Sequence, residues 1–319
     1  MNALQHLENF LQALTSGLLT GADYGLMCVG LSLIFGVMRV INFAQGDFMM
    51  LGMYAAFHAV TGLGLTAVLG DGAGPYVAAI LAGPAVFVVG YAVHGLLVGR
   101  VTGVAGGRLE GDGHHAQLVL TLGLALLLQN GALIVFGSSP AGIATSLSYS
   151  AWIIGPLAGD WVTLFINQAQ TVSAIVAVLV MLLFTALMAR TRFGKALRAA
   201  ADNPHAALYM GIDVERAYRL AFALGVAITA VAGGLLALST SFQPYVGIDY
   251  VIAMYAGVVL GGLGSVTGAF MGGLTIGLVQ QLSTLVLPAQ LQNTAVFVLF
   301  LLVVFLRPQG LFGRAVRQA

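Results

Sequence analysis

Long apolar stretches separated by short polar breaks run along the chain at about 11–38, 41–60, 75–99, 116–137, 168–189, 217–241, 250–264, 266–286 and 291–306. Most are long enough to cross lipid as helices, since ~20 residues rising ~1.5 Å each match a ~30 Å hydrocarbon core. The runs are continuous rather than alternating apolar and polar, and only helices or closed barrels satisfy their backbone groups inside lipid. The pattern therefore predicts an all-α, polytopic transmembrane helical bundle of eight to ten spans, read as a single domain over 1–319 with a cytoplasmic loop at about 190–216. Two stretches leave the count open: 11–38 is long enough for a span plus a surface turn, and 250–286 fits two spans or a broken, re-entrant pair.

Charge orients the bundle. If the stretches alternate direction, Arg39, then Arg100 and Arg108, then the basic residues of 190–219, then those of 307–317 all face one compartment. By the positive-inside rule that compartment is the cytoplasm, and the chain is expected to be a multi-pass membrane protein. The opposite connections, about 61–74, 138–167, 242–249 and 287–290, contain no lysine or arginine. Nine crossings then put the N-terminus outside and the C-terminus inside.

Composition changes the picture only by exclusion. With 59% hydrophobic and 7% charged residues and a mean hydropathy of +0.98, a soluble core would have almost nothing polar to present to water. A net charge of +1 gives nucleic acid no reason to bind. No basic residue precedes Arg39, so a signal-peptide n-region is missing and the first apolar run is expected to persist in the mature protein. The lone Cys28 has no intrachain disulfide partner.

Glycine is the second compositional signal. The chain has 43 in 319 residues, about 13% against an average near 7%. Several recur at spacing four: Gly17, Gly21 and Gly25; Gly257 and Gly261; Gly264, Gly268 and Gly272. Each series is expected to mark a helix face along which neighbouring backbones approach closely, and to pack or to slide there during transport.

Enzymatic chemistry has no visible home. The one Gly-Lys pair, Gly194 and Lys195, is followed by Ala196 rather than completing a phosphate loop, so this chain offers no ATPase site of its own. No H-E-x-x-H, paired-cysteine or nucleophile-elbow pattern occurs, and His114 and His115 read as part of a solvated turn with Glu110 rather than as metal ligands. No bound cofactor or metal is expected.

Few polar residues sit at membrane depth. Asp23 lies in the middle of the first run, where a charged carboxylate costs ~2.5–3.5 kcal/mol on insertion scales, so it should face a protein interior or water. Asn42, Gln45 and Asp47 open the second span and are expected at the cytoplasmic level, with Asp47 either on the translocation path or simply paired with Arg39. Asp23, Asn42, Gln45 and Asp47 are the candidate path residues.

The most informative soluble segment is 190–213. Asp202 or Asn203 can accept from the free N–H groups that begin a helix, Pro204 suits the first helical position, and Gly211 supplies a left-handed stop. The result is a helix of about two turns, preceded by another near 195–201. Ala206, Ala207, Leu208 and Met210 make it small and apolar. A helix that short is marginal alone, so it leans either on its own bundle or in a groove of a cytoplasmic partner.

Here a resemblance becomes specific. Arg190, Thr191, Arg192, Gly194, Ala196, Arg198, Ala199, Ala201 and Asp202, then Gly211, Ile212 and Asp213, resemble the ATPase-coupling loop of ABC importer permeases of the branched-chain amino acid family. Two further blocks are similar to that family: Gly30 to Gly36 (GLSLIFG) with Val40 to Asp47 (VINFAQGD), and Gly261 to Ala269 (GGLGSVTGA), containing Gly261, Gly262, Gly264 and Gly268. Arg307 to Phe312 (RPQGLF) also ends as these permeases end. Gln45 stands where the family usually has histidine; glutamine keeps a hydrogen-bonding side chain but cannot become charged. The connections near 61–74 and 100–115 are longer than the family's compact loops.

The resemblance implies a permease subunit that pairs with a second permease subunit, two cytoplasmic ATPases that use the ATP, and an extracytoplasmic solute-binding protein. Arg198, Ala199, Asp202, Pro204, Ala206, Leu208 and Gly211 would form the coupling surface. Branched-chain or other apolar amino acids are the expected cargo, with urea or short amides as the alternative within the family. An ion-coupled carrier or a channel is the alternative outside it.

Overall fold

The structure, a computed structural model, describes residues 3–102, 113–157, 162–307 and 310–311. Arg108, Glu110, Pro308, Gln309, Phe312 and Arg317 lie outside those residues, as do the side chains of His114 and His115.

The first apolar run, with no proline or positive-φ residue to stop it, forms a single helix, α1 (Ala3–Met38), of 36 residues. At ~1.5 Å per residue this is about 54 Å, well beyond a ~30 Å hydrocarbon core. Its first turns project past the bundle and carry a β-hairpin, β1 (Ala151–Leu157) and β2 (Val162–Asn167), in which Trp152 faces Ile166 and Ile153 faces Phe165. Phe165 exchanges two backbone hydrogen bonds with the Gln12 side chain (2.7 and 3.1 Å), and Thr163 Oγ1 donates to Glu8 Oε1 at 3.0 Å. The helical class holds, and this hairpin is a small β addition that the sequence pattern did not predict. A two-stranded hairpin is marginal alone, and it is the overshoot of α1 that gives its backbone a polar partner.

The chain continues through α2 (Gln45–Thr61) to α3 (Leu65–Val93), a π-helical turn (His94–Val98) and the short α4 (Gly99–Thr102). Helix already begins at Leu65, so 61–74 is not the open connection expected; the interruption is confined to Gly70, at φ 80° and ψ 162°. Then come α5 (Gly113–Phe136), α6 (Gln168–Arg190), α7 (Arg192–Asp202), α8 (Pro204–Tyr209) and α9 (Val214–Leu236). The last three are α10 (Val246–Gly261), α11 (Val266–Ser283) and α12 (Gln292–Leu306).

Among the described residues, α1, α3 with its extension, α5, α6 and α9 are long and apolar enough to cross a membrane. The other apolar runs form helices of 15 to 18 residues: α2, α10, α11 and α12. The protein is a polytopic helical membrane bundle. Its axis is α1 and α9, buried over 78% and 83% of their most apolar windows, while α5 and α6 are buried over only 28% and turn their remaining apolar surface outward.

Close backbone approach binds α1 and α10 to α11. A Cβ on Gly21 would stand 2.7 Å from Leu274 O, and one on Gly273 would stand 2.6 Å from Gly25 Cα. Gly261 and Gly268 lie backbone to backbone. Gly262 and Gly264 are different: they adopt φ of 94° and 83° in the turn between α10 and α11, and Gly264 lies outside the α11 face on which spacing four put it. Ser265 explains the boundary, because its Oγ accepts from Gly268 N at 3.2 Å and starts α11 there.

Candidate functional site

Between Met38 and Gln45 the chain does not pass straight into a second span. Arg39, exposed and at φ 54°, reverses the direction, and 40–44 turns back into the bundle before α2 begins. Asn42 Oδ1 accepts from Ala44 N at 3.2 Å, and Asn42 Nδ2 donates to Gln45 Oε1 at 2.9 Å. Gln45 Nε2 in turn donates to Thr229 Oγ1 at 2.6 Å and approaches Gly225 O at 3.4 Å. Thr229 is the sixteenth residue of α9, about 22 Å from its start at ~1.5 Å per residue.

The expected cytoplasmic level for this group is therefore corrected to the interior of the bundle. Asn42, Gln45 and Thr229 are fully buried and Asp47 is 2% exposed. Such a depth is affordable because each amide finds a partner, which is the condition on buried polar groups. Asp47 does not pair with Arg39; its Oδ1 accepts from Gln129 Nε2 of α5 at 2.9 Å. Gly247 of α10 lies so close that a Cβ there would stand 2.8 Å from the same oxygen. Four helices thus meet at this layer: α2, α5, α9 and α10.

Gln129 and Thr229 were absent from the sequence-predicted set. Gln129, with the adjacent Asn130, carries a signal like that of Asp23, polar side chains interrupting an apolar run; Thr229 carries none, since threonine is common in apolar helices.

Asp23 lies one turn further out along α1 than Met27, whose carbonyl accepts from Thr229 Oγ1 at 3.4 Å. Its carboxylate is 2% exposed, and Oδ1 has no hydrogen-bond partner. It faces a cavity of about 200 Å³ with Tyr24, Tyr250, Gln170 and Gln280 in the wall. Asp23 and the Gln45 layer are separate but stacked sites.

At the opposite end of α6 the chain forms two capped helices. Thr191 Oγ1 accepts from Gly194 N at 3.1 Å to start α7, and Asn203 Oδ1 accepts from Ala206 N at 3.0 Å to start α8. Of the two caps open from sequence, Asn203 is the one used; Asp202 ends α7. Pro204 takes the first position and Gly211, at φ 79°, follows the end. Ala207 is buried against the bundle, whereas Leu208, Tyr209 and Met210 are 45%, 90% and 82% exposed. Arg198, Ala199 and Ala206 flank this tip, Ala206 exposed beside it.

A bundle with polar groups stacked through its interior and a capped apolar tip at one end belongs to the class of multi-pass transport proteins. Residues 13–306 match the family described as the branched-chain amino acid transport system / permease component, and the chain belongs to that family. It is 31% identical over 306 residues to the high-affinity branched-chain amino acid transport system permease protein LivH of Salmonella typhimurium, covering 96% of each chain. It is equally 31% identical to BraD of Pseudomonas aeruginosa, over 312 residues and 98% of each chain. A probable branched-chain amino acid transport permease of Methanocaldococcus jannaschii is 30% identical over 260 residues, 81% of this chain and 76% of that one. No solved structure matches the chain.

Proposed function

We propose that this permease subunit belongs to an ATP-driven importer of branched-chain or similar apolar amino acids, paired with a second permease subunit. Two cytoplasmic ATPases supply the hydrolysis, and an extracytoplasmic binding protein delivers the solute. The observation that carries the reading is the tip of α8. Leu208, Tyr209 and Met210 expose apolar surface at the one end of the molecule where arginine and lysine collect, while Ala207 and the two caps hold the tip rigid. An amphipathic short helix presented this way fits a groove on a partner. ATP-driven closure of the ATPases moves the two loops together, and the gain comes only from contacts that differ between the two states. ATP is thus used by the partners, with no cofactor on this chain.

The test is Leu208→Glu or Ala206→Glu in the assembled importer. Burying an unpaired carboxylate at such a contact costs several kcal/mol, so vanadate-sensitive leucine uptake is expected to fall at least ~100-fold while membrane insertion is unchanged. Uptake at the unsubstituted rate refutes the coupling role. Uptake by the permease alone, without ATPases, would point to a carrier or channel instead.

A further inference from the structure

We infer that the cavity at Asp23 is a binding site for the α-ammonium group of the amino acid on its way in; this rests on the amino-acid reading above and extends it to a named site. A carboxylate buried inside the bundle is expensive unless paired, and the polar groups of the neighbouring layer, Asn42, Gln45, Asp47 and Thr229, are each hydrogen-bonded within the protein. Asp23 Oδ1 is not. Asp23 lines a cavity of about 200 Å³, below the ~300–1,000 Å³ typical of drug-sized ligands and suited to something the size of one amino acid.

The walls favour a zwitterion. Of the residues lining the cavity, only Leu236 lacks a polar side-chain atom. Asp23 is the only acid or base among them, so the site offers one negative charge to one positive group. Gln292, the first residue of the 15-residue α12, also lines the cavity, and the positive end of that helix's dipole favours the substrate carboxylate. Tyr24 and Tyr250, edge to face with centroids 5.8 Å apart, supply ring surface for an apolar side chain.

The cavity also lies where a delivered solute arrives. It shares Gln170, Ser239 and Thr240 with a wider cavity of about 350 Å³ that reaches Tyr149 and Asn167 beside the hairpin. One turn inward from Asp23 is the Gln45–Thr229 layer. The order along α1 is therefore hairpin mouth, ammonium site, polar layer.

The assembled importer in nanodiscs, without binding protein, provides the test. L-leucine, 3-methylbutylamine (leucine without its carboxylate) and 4-methylpentanoate (leucine without its ammonium) are added at millimolar concentration in sodium-free buffer, and the unfolding midpoint is read. Leucine and the amine are expected to raise the midpoint by about 2–4 °C and 4-methylpentanoate to leave it alone. Asp23→Asn, which removes the buried carboxylate and keeps the shape, is expected to fold with an unchanged or higher midpoint. It should lose both shifts and at least about tenfold of binding-protein-driven leucine uptake. Stabilisation by 4-methylpentanoate equal to that by leucine, stabilisation by sodium but not by the amine, or unreduced uptake in Asp23→Asn would each overturn the site. The unsubstituted importer separates the two readings: if it moves no leucine, the amino-acid function falls, whereas normal uptake with an ammonium-blind cavity leaves that function standing and removes only the site.

Discussion

Gln45 ties the turn before α2 to α9, 184 positions further along the chain. It accepts from Asn42, donates to Thr229, approaches Gly225 O at 3.4 Å, and has zero exposure to water. Gln45→Leu leaves the Asn42 amide without its acceptor in a dry interior, and the expected cost is about 1–3 kcal/mol, read as a lower unfolding midpoint of the purified importer. Gln45→His separates hydrogen bonding from charge. A neutral imidazole has one donor and one acceptor and can serve both Thr229 and Asn42, so this variant should be close to the parent at pH 8. Protonation converts the acceptor into a second donor facing the Asn42 amide, so stability should fall as the pH is lowered, and a pH-independent midpoint would reject the network as drawn. The polar residues of this layer were legible in the sequence because they interrupt apolar runs. Their depth was not, because it depends on Arg39 adopting φ 54° and turning the chain back inward, a conformation that nothing in an arginine announces. Nor was the Gln129–Asp47 bond, which spans 82 positions.

Between helices, glycine decides how near two axes can come. Gly273 lets α11 lie against Gly25 and Tyr24 of α1, and a Cβ there meets only backbone, 2.6 Å from Gly25 Cα and from Tyr24 C. Neither neighbour can rotate away, so Gly273→Ala must separate the two helices. The expected outcome is a loss of folded importer, measured by size-exclusion yield after mild detergent extraction. Gly123 and Gly131 of α5 are the controls, since a Cβ at either meets nothing within 4 Å. Alanine there gains helix propensity of up to ~1 kcal/mol, and yield should hold or rise. Equal yields from all three variants would show that spacing, not contact, had been read into these glycines. Spacing four found the α1 face correctly but assigned Gly264 to α11, because a period cannot tell the last residue of a turn from the first of a helix. The cap Ser265 could have, but that signal is one residue deep and is easily outweighed by the long apolar runs on either side.

For the molecule as a whole, two ends differ in charge and in architecture. One end gathers Arg39, Arg100, the basic residues of α7 and the start of α9, and Arg307, together with the capped tip of α8. The other holds the hairpin, the first turns of α1, the Ser146–Asp71 hydrogen bond of 2.9 Å and the Ala141–Phe242 bridge, with no lysine or arginine among its described residues. Moving either end across the bilayer would mean translocating the basic cluster, which the K/R bias opposes, so the α8 tip is expected in the cytoplasm and the hairpin outside. Single cysteines at Tyr209 (90% exposed) and Trp152 (47% exposed), introduced after Cys28→Ala, report this directly. A membrane-impermeant maleimide applied to intact cells should label the Trp152→Cys protein and spare the Tyr209→Cys protein until the membrane is opened. The reverse result would invert the bundle, and with it the coupling tip and the inward order from hairpin mouth to Asp23 to Gln45 would lose their meaning together, because all three depend on which end meets the ATPases.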